Sequence, residues 1–283
     1  MRCGTARFLA AIVLLAVAVS PLGLAAQEPL DLDVLLDRLA TYLQSYEPQL
    51  SELVADEHYV QAEYRRGVSR TRTTEAEVVF LRVPGESEWY GVRDVKKVDR
   101  KLVPGTGVTL SDLFKNPGED TIPKMAAMVT ASAKYNLGER RAINLPTAPI
   151  EALSTLNHPR YIFKIAGKAR VAGVQTVRIT FEEFDEPTLV QSSDGSTLWS
   201  RGAAWIQPES GALWRAELII GPSAPGVRRR PDLEARIRVE FTQDAHLNLI
   251  VPKQMDESFW IRGGSGSGAG KYSNYRRLGT FTR

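Results

Sequence analysis

The tightest constraint on this chain is a two-residue alternation that recurs through its second half. In residues 234–242, Ala235, Ile237, Val239 and Phe241 fall on one side and Glu234, Arg236, Arg238 and Glu240 on the other. Successive side chains of a strand point to opposite faces, so this pattern fits a strand with one dry and one wet face. Tyr161, Phe163 and Ile165 repeat it, as do Val177, Ile179 and Phe181 against Arg178, Thr180 and Glu182. Half-wet strands belong to antiparallel sheets. Residues 205–207 and 213–220 flank Pro208-Glu209-Ser210-Gly211, a four-residue hairpin loop with glycine where a left-handed residue is needed.

Further strands are expected at 57–64, 74–83, 88–98, 255–261 and 271–277, about ten in all, with Pro84-Gly85 turning the second of these into the third. The dry face of such a sheet needs a cover, and the first half supplies helices. Leu32, Leu35, Leu36, Leu39, Tyr42, Leu43 and Tyr46 step at three and four, the period of one helical face. Asp31 or Asp33 can cap its start, and Pro48 is expected to end or kink it. A short helical turn is expected at 109–114. A helix follows at 120–137, with Ile122, Met125, Met128, Val129 and Ala133 on one face, Pro123 in the first turn and Gly138 past the end. Thr147 then caps a short helix reaching Leu156. The expected class is α+β, a large curved antiparallel sheet covered by an N-terminal helix and a helical insert.

Residues 1–26 read as a secretory signal peptide, ahead of a single domain at 27–283. Arg2 and Arg7 form a basic start, residues 8–19 are uninterruptedly apolar, and Gly23-Leu24-Ala25-Ala26 offers small residues for cleavage near Ala25 to Gln27. The apolar run is too short for a spanning helix, so no transmembrane segment is expected in the mature chain, which would be periplasmic or secreted. Its removal takes away two arginines and no acid, so 36 basic residues against 33 acidic fall to 34 against 33. A nearly neutral chain is a poor match for nucleic acid, where neutralising phosphates supplies much of the affinity. The one cysteine, Cys3, lies in the leader, so the mature chain has no disulfide, no cysteine nucleophile and no cysteine metal ligand.

Motifs for chemistry are weak. Residues 263–271 are glycine-rich, but the spacing of a phosphate loop fails at Ser265 and at Tyr272, so a flexible hairpin loop is expected there. His58, His158 and His246 lack partners at ligand or catalytic spacing. Glu182 and Glu183 point to opposite faces of a strand, which splits the carboxylate cluster around them. Arg228-Arg229-Arg230 reads as solvated, with contact to anionic headgroups as the sharper alternative. No catalytic residue, metal ligand or cofactor is implied, and the chain reads as non-enzymatic.

The order of signal peptide, N-terminal helix, sequential antiparallel strands, helical insert and further strands resembles the LolA/LolB-like lipoprotein-carrier fold. That resemblance implies an incomplete β-barrel covered by helices, with acyl chains held between them. At motif level, Trp89-Tyr90-Gly91-Val92-Arg93-Asp94-Val95, Ile143-Asn144-Leu145-Pro146-Thr147, Trp205-Ile206-Gln207-Pro208 with Gly211, and Tyr272-Ser273-Asn274-Tyr275-Arg276-Arg277 resemble uncharacterised secreted bacterial proteins. No functional residue carries over from those proteins. The leading expectation is a periplasmic binding or carrier protein for an apolar ligand such as lipid or lipoprotein acyl chains. Phe80, Phe163, Phe181 and Trp205 would form the wall of the cavity, and Met125 and Met128 its adaptable cover. The alternatives are an envelope module that binds a protein partner through a filled sheet, and a hydrolase whose site is dispersed along the chain.

Overall fold

The computed structural model describes residues 31–82, 88–105, 107–115, 118, 120–138, 144–191, 197–222, 234–261 and 263–278. The leader, the Pro84-Gly85 turn, Ile143 and the Arg228–Arg230 run lie outside the described residues.

Helix α1 (Leu32–Ser51) starts where the side chain of Asp31 accepts hydrogen bonds from the amides of Asp33 and Val34. It runs through Pro48 instead of stopping there. Pro48 sits on the exposed side, so the Gln44 carbonyl it cannot satisfy faces outward. Leu35, Leu39, Leu43, Tyr46 and Leu50 form its buried stripe. The strands follow: β1 (Leu53–Arg65), β2 (Val68–Arg82), β3 (Trp89–Val98) and the short β4 (Lys101–Leu102). The insert holds α2 (Leu110–Lys115), one residue along from the expected turn, and α3 (Thr121–Ala133) and α4 (Ala148–Ala152), both shorter than the sequence pattern suggests. The second half is β5 (Tyr161–Val171), β6 (Val174–Glu183), β7 (Val190–Gln191), β8 (Thr197–Ile206), β9 (Leu213–Gly221), β10 (Glu234–Asp244), β11 (Leu249–Ile261) and β12 (Gly264–Arg277).

These twelve strands make one antiparallel sheet in the order β4-β3-β2-β1-β12-β11-β10-β9-β8-β6-β5, with β7 added beside β8. The first and last strands of that order do not pair, so the sheet is curved but not closed. The join between the halves is β1, paired with β2 on one side and β12 on the other.

Register traces one continuous inner face, because directly opposed residues of an antiparallel pair point the same way. It runs from Phe80 and Val78 on β2 through Ala55, Glu57 and Tyr59 on β1 to Tyr272 and Gly270 on β12. It continues through Met255, Val239, Ala216 and Ala204 to Ile179, Phe181 and Phe163. Helix α1 lies across this face and touches both β2 and β5, near opposite ends of the sheet. The β8–β9 hairpin loop seats on α1, where the Arg38 guanidinium donates to the Pro208 carbonyl at 2.6 Å. Gly211, with φ +74°, leaves no room there for a Cβ beside the Arg38 carbonyl.

The glycine-rich stretch is strand, not the loop its composition suggests. Gly264, Gly266, Gly268 and Gly270 take the inner positions of β12, with Ser265, Ser267, Ala269 and Lys271 outside. A Cβ on Gly266 would fall within the Phe259 ring, and one on Gly268 would collide with the Tyr59 hydroxyl and the Glu257 carboxylate. The glycines are the space into which neighbouring strands lay their large side chains. A flexible loop would tolerate Gly268→Ala or gain slightly from it. In this packed strand the substitution is expected to cost about 1–3 kcal/mol in denaturant unfolding, the usual range for overpacking.

Candidate functional site: the inner face and its edge groove

The residues expected to line one cavity fall into three places. Phe80 and Phe181 are buried on the inner face, and Phe163 is half-buried beside Phe181. Phe80 meets Tyr272 edge to face at 5.5 Å between centroids, and Phe181 meets Tyr161 in the same way at 5.4 Å. Trp205 points to the other face. It is in register with Arg178 and Arg215, whose guanidinium carbons stand 5.5 and 5.3 Å from its ring. Met128 is buried and Met125 partly buried in a separate outer cluster with Val54, Val79, Val92, Leu110, Leu113, Phe114 and Leu278. Val54, Val79 and Val92 oppose one another across β1, β2 and β3, one residue out of phase with the inner row. The methionine face of α3 thus packs on the back of the sheet, beyond reach of Phe181.

What the sequence pattern hides is the polar half of the inner face. On β1 the inner positions are Glu57, Tyr59, Gln61 and Glu63, all buried, while Val60 and Tyr64 are exposed. This inverts the usual arrangement, and the insert explains it. After α3 the chain turns over β3 onto the inner face. There Gln61 accepts from the Leu137 amide at 2.8 Å and donates to the Tyr135 carbonyl at 3.3 Å. Arg93 on β3 makes a two-pronged pair with Glu57, at 2.6 Å from Nε and 2.9 Å from Nη2, and Nη2 also donates to the Asn144 carbonyl at 2.9 Å. Burial works against the Arg93 charge, but Glu57 beside it more than offsets that, and its pKa is raised. Tyr59 donates to Glu257, closing the row under the glycine strand. Buried charges need such pairing, and removing one partner of a buried pair costs about 3–5 kcal/mol.

Where the crossing segment leaves β3, a groove of about 480 Å³ opens. Its walls include Trp89, Gly91 and Arg93 on β3, Val129 and Ala133 on α3, and Leu145. Leu145 packs so closely over Gly91 that a Cβ there would overlap its side chain. A smaller groove of about 330 Å³ lies on the outer face among Ile162, Lys164, Arg178 and Glu217.

Among the described residues the three histidines lie apart from one another. His58 is exposed on β1 and His246 in the β10–β11 turn, while His158 sits in the 3-10 turn before β5 with its Nε2 2.8 Å from the Leu153 carbonyl. Burial lowers the His158 pKa. Glu183 is fully buried but saturated, accepting from the Leu189 and Ser200 amides and the Ser200 hydroxyl, while Glu182 faces out. Among the described residues no group of three His, Cys, Asp or Glu is placed to hold a metal, and no helix is long and apolar enough to cross a membrane.

One carboxylate cluster has a measurable consequence. Burial pushes the Glu151 carboxyl up from 4.5 to about 7; Glu88 and Glu47 add to the shift and Arg82 opposes it. Glu47, ion-paired to Arg82, is also raised by burial. A carboxyl raised in the folded state binds more protons there than in the unfolded chain between the two pKa values. Its contribution to stability is therefore greatest below about pH 4.5 and is lost as pH rises through about 7. Glu151→Gln is expected to flatten the fall in melting temperature between about pH 5 and pH 8 relative to wild type. Parallel curves would mean that Glu151 is solvated.

No protein-family model matches the chain, and no curated protein matches it in sequence. Solved structures do resemble it. An outer membrane lipoprotein-sorting protein domain from Vibrio parahaemolyticus aligns over 88% of this chain and 94% of its own, with TM-score 0.42 and 12% identity. A DUF1329 family protein from Desulfovibrio piger aligns over the same shares with TM-score 0.36 and 12% identity. A LolA superfamily protein from Nitrosomonas europaea does so with TM-score 0.34 and 10% identity. The chain is similar to LolA-superfamily folds at the level of topology.

Proposed function

We propose that this chain is a non-catalytic, exported binding or carrier protein for an amphiphile with an acyl chain, held on the inner face of the sheet. The observation that carries the reading is the 480 Å³ groove at the β3 edge, within the size range of small-molecule sites. Val129, Ala133, Leu145 and Trp89 offer an apolar lane, and Arg93, held in its pair with Glu57, lies in the wall. Each buried methylene of a chain is worth about 0.8 kcal/mol, so area alone can drive binding. Part of that gain is lost in ordering the ligand. Phe80, Phe163 and Phe181 are the inner-face aromatics a longer chain would reach if α1 or the crossing segment moved. Met125 and Met128 belong to the frame in this reading, because they hold α3 to the back of the sheet.

The reading is tested by titrating the protein with fluorescent fatty-acyl probes of increasing length. Saturable binding is expected, weakened at least tenfold by Ala133→Trp, which fills the groove from the exposed end of α3. No binding at any length by the folded protein would favour an envelope module that engages a protein.

A further inference from the structure

Two exposed aromatic side chains stand on the back of the sheet, remote in register from the groove. Trp260 on β11 pairs with Ser265 on β12, and Ser265 pairs with Tyr64 on β1. All three therefore point to the outer face, where Trp260 is 45% and Tyr64 55% exposed. Two strand spacings separate the aromatic residues, about 10 Å. The next rung holds Ser258, Ser267, Ala62 and Thr71, short side chains beside the rings, and beyond Ser258 it carries Arg236, which is ion-paired to Glu217 at 3.3 Å. The row is bordered by Glu234, in register with Trp260 and ion-paired to Arg201 at 3.0 Å.

We propose that Tyr64 and Trp260 form a platform for an extended β-1,4-linked glycan. Pyranose rings present flat C–H faces that stack on aromatic rings, and Tyr and Trp combine such a face with a polar tip. The advance of two sugars along an extended β-1,4-linked chain matches two strand spacings, about 10 Å. Alternate sugars then meet Tyr64 and Trp260, and the sugar between them lies over Ser265. The Glu234 carboxylate at the border can accept from ring hydroxyls. Among the described residues no cation lies between the two rings, and the flanking Arg201 and Arg236 are ion-paired to Glu234 and Glu217, which disfavours an anionic bilayer. The low relief of its serine and alanine side chains gives a protein partner few apolar pockets to fill.

Isothermal titration of the full chain with β-1,4-linked N-acetylglucosamine oligomers tests this. Affinity should step up between the disaccharide and the trisaccharide, the first oligomer able to span both rings. Trp260→Ala and Tyr64→Ala should each weaken trisaccharide binding at least tenfold with the melting temperature unchanged, since both side chains are exposed. No binding of any oligomer to the folded protein would overturn the proposal, as would unchanged affinity in the double variant. Self-association in ultracentrifugation that is lost with Tyr64→Ala would also overturn it and assign the pair to a second copy of the chain.

Discussion

The pairing of β1 with β12 is the constraint on which the rest depends. It joins the strands nearest the two ends of the described chain, and it converts two runs of hairpins into one sheet. Twelve strands in a single curved layer leave a long inner face that must be covered, and α1 reaches across it from β2 to β5. The joining strands cannot both carry bulky inner residues. β1 supplies Tyr59 and β11 supplies Phe259 and Glu257, and β12 answers with glycine at every inner position from Gly264 to Gly270. The cost of those glycines in backbone entropy is offset by the packing they permit.

The same join decides where charge is buried. Glu57, Gln61 and Glu63 sit where a simple sandwich would place aliphatic residues. Gln61 is tolerated because the segment after α3 brings a backbone amide and a carbonyl onto the inner face, and Glu57 because Arg93 neutralises it. Polar pairing of this kind specifies one position for the crossing segment, whereas aliphatic contacts would let it slide. The groove beside Arg93 is a consequence, being the gap left between α3, the edge strand and a crossing segment held at fixed points.

Much of this fold is legible in the residues. The stripe from Leu35 to Leu50, the Asp31 cap and the Gly211 turn follow from spacing and local backbone chemistry. So does the alternation of β6 and β10. What escapes is non-local. The β12 glycines read as a loop because the atoms that fill their inner side belong to Phe259, Tyr59 and Glu257 on other strands. Trp205 reads as cavity wall by its apolarity, but it lies in register with two arginines on the outer face, next to a register shift at Ile206. Met125 and Met128 share the expected helical face, and periodicity does not say which side of the sheet that face meets. The one available signal for the polar inner row was the sequence Glu57-His58-Tyr59-Val60-Gln61-Ala62-Glu63-Tyr64. Its odd positions are the more polar, yet they are the buried ones.

The central claim is that the inner face and its edge groove hold an acyl ligand. Native mass spectrometry of the full chain, purified without detergent from the cells that make it, tests this directly. The account predicts a population heavier than the bare polypeptide by the mass of one lipid, released as an intact lipid on collisional activation. A bare-polypeptide mass throughout, from protein shown to be folded and still bare after incubation with lipids extracted from those cells, would contradict it.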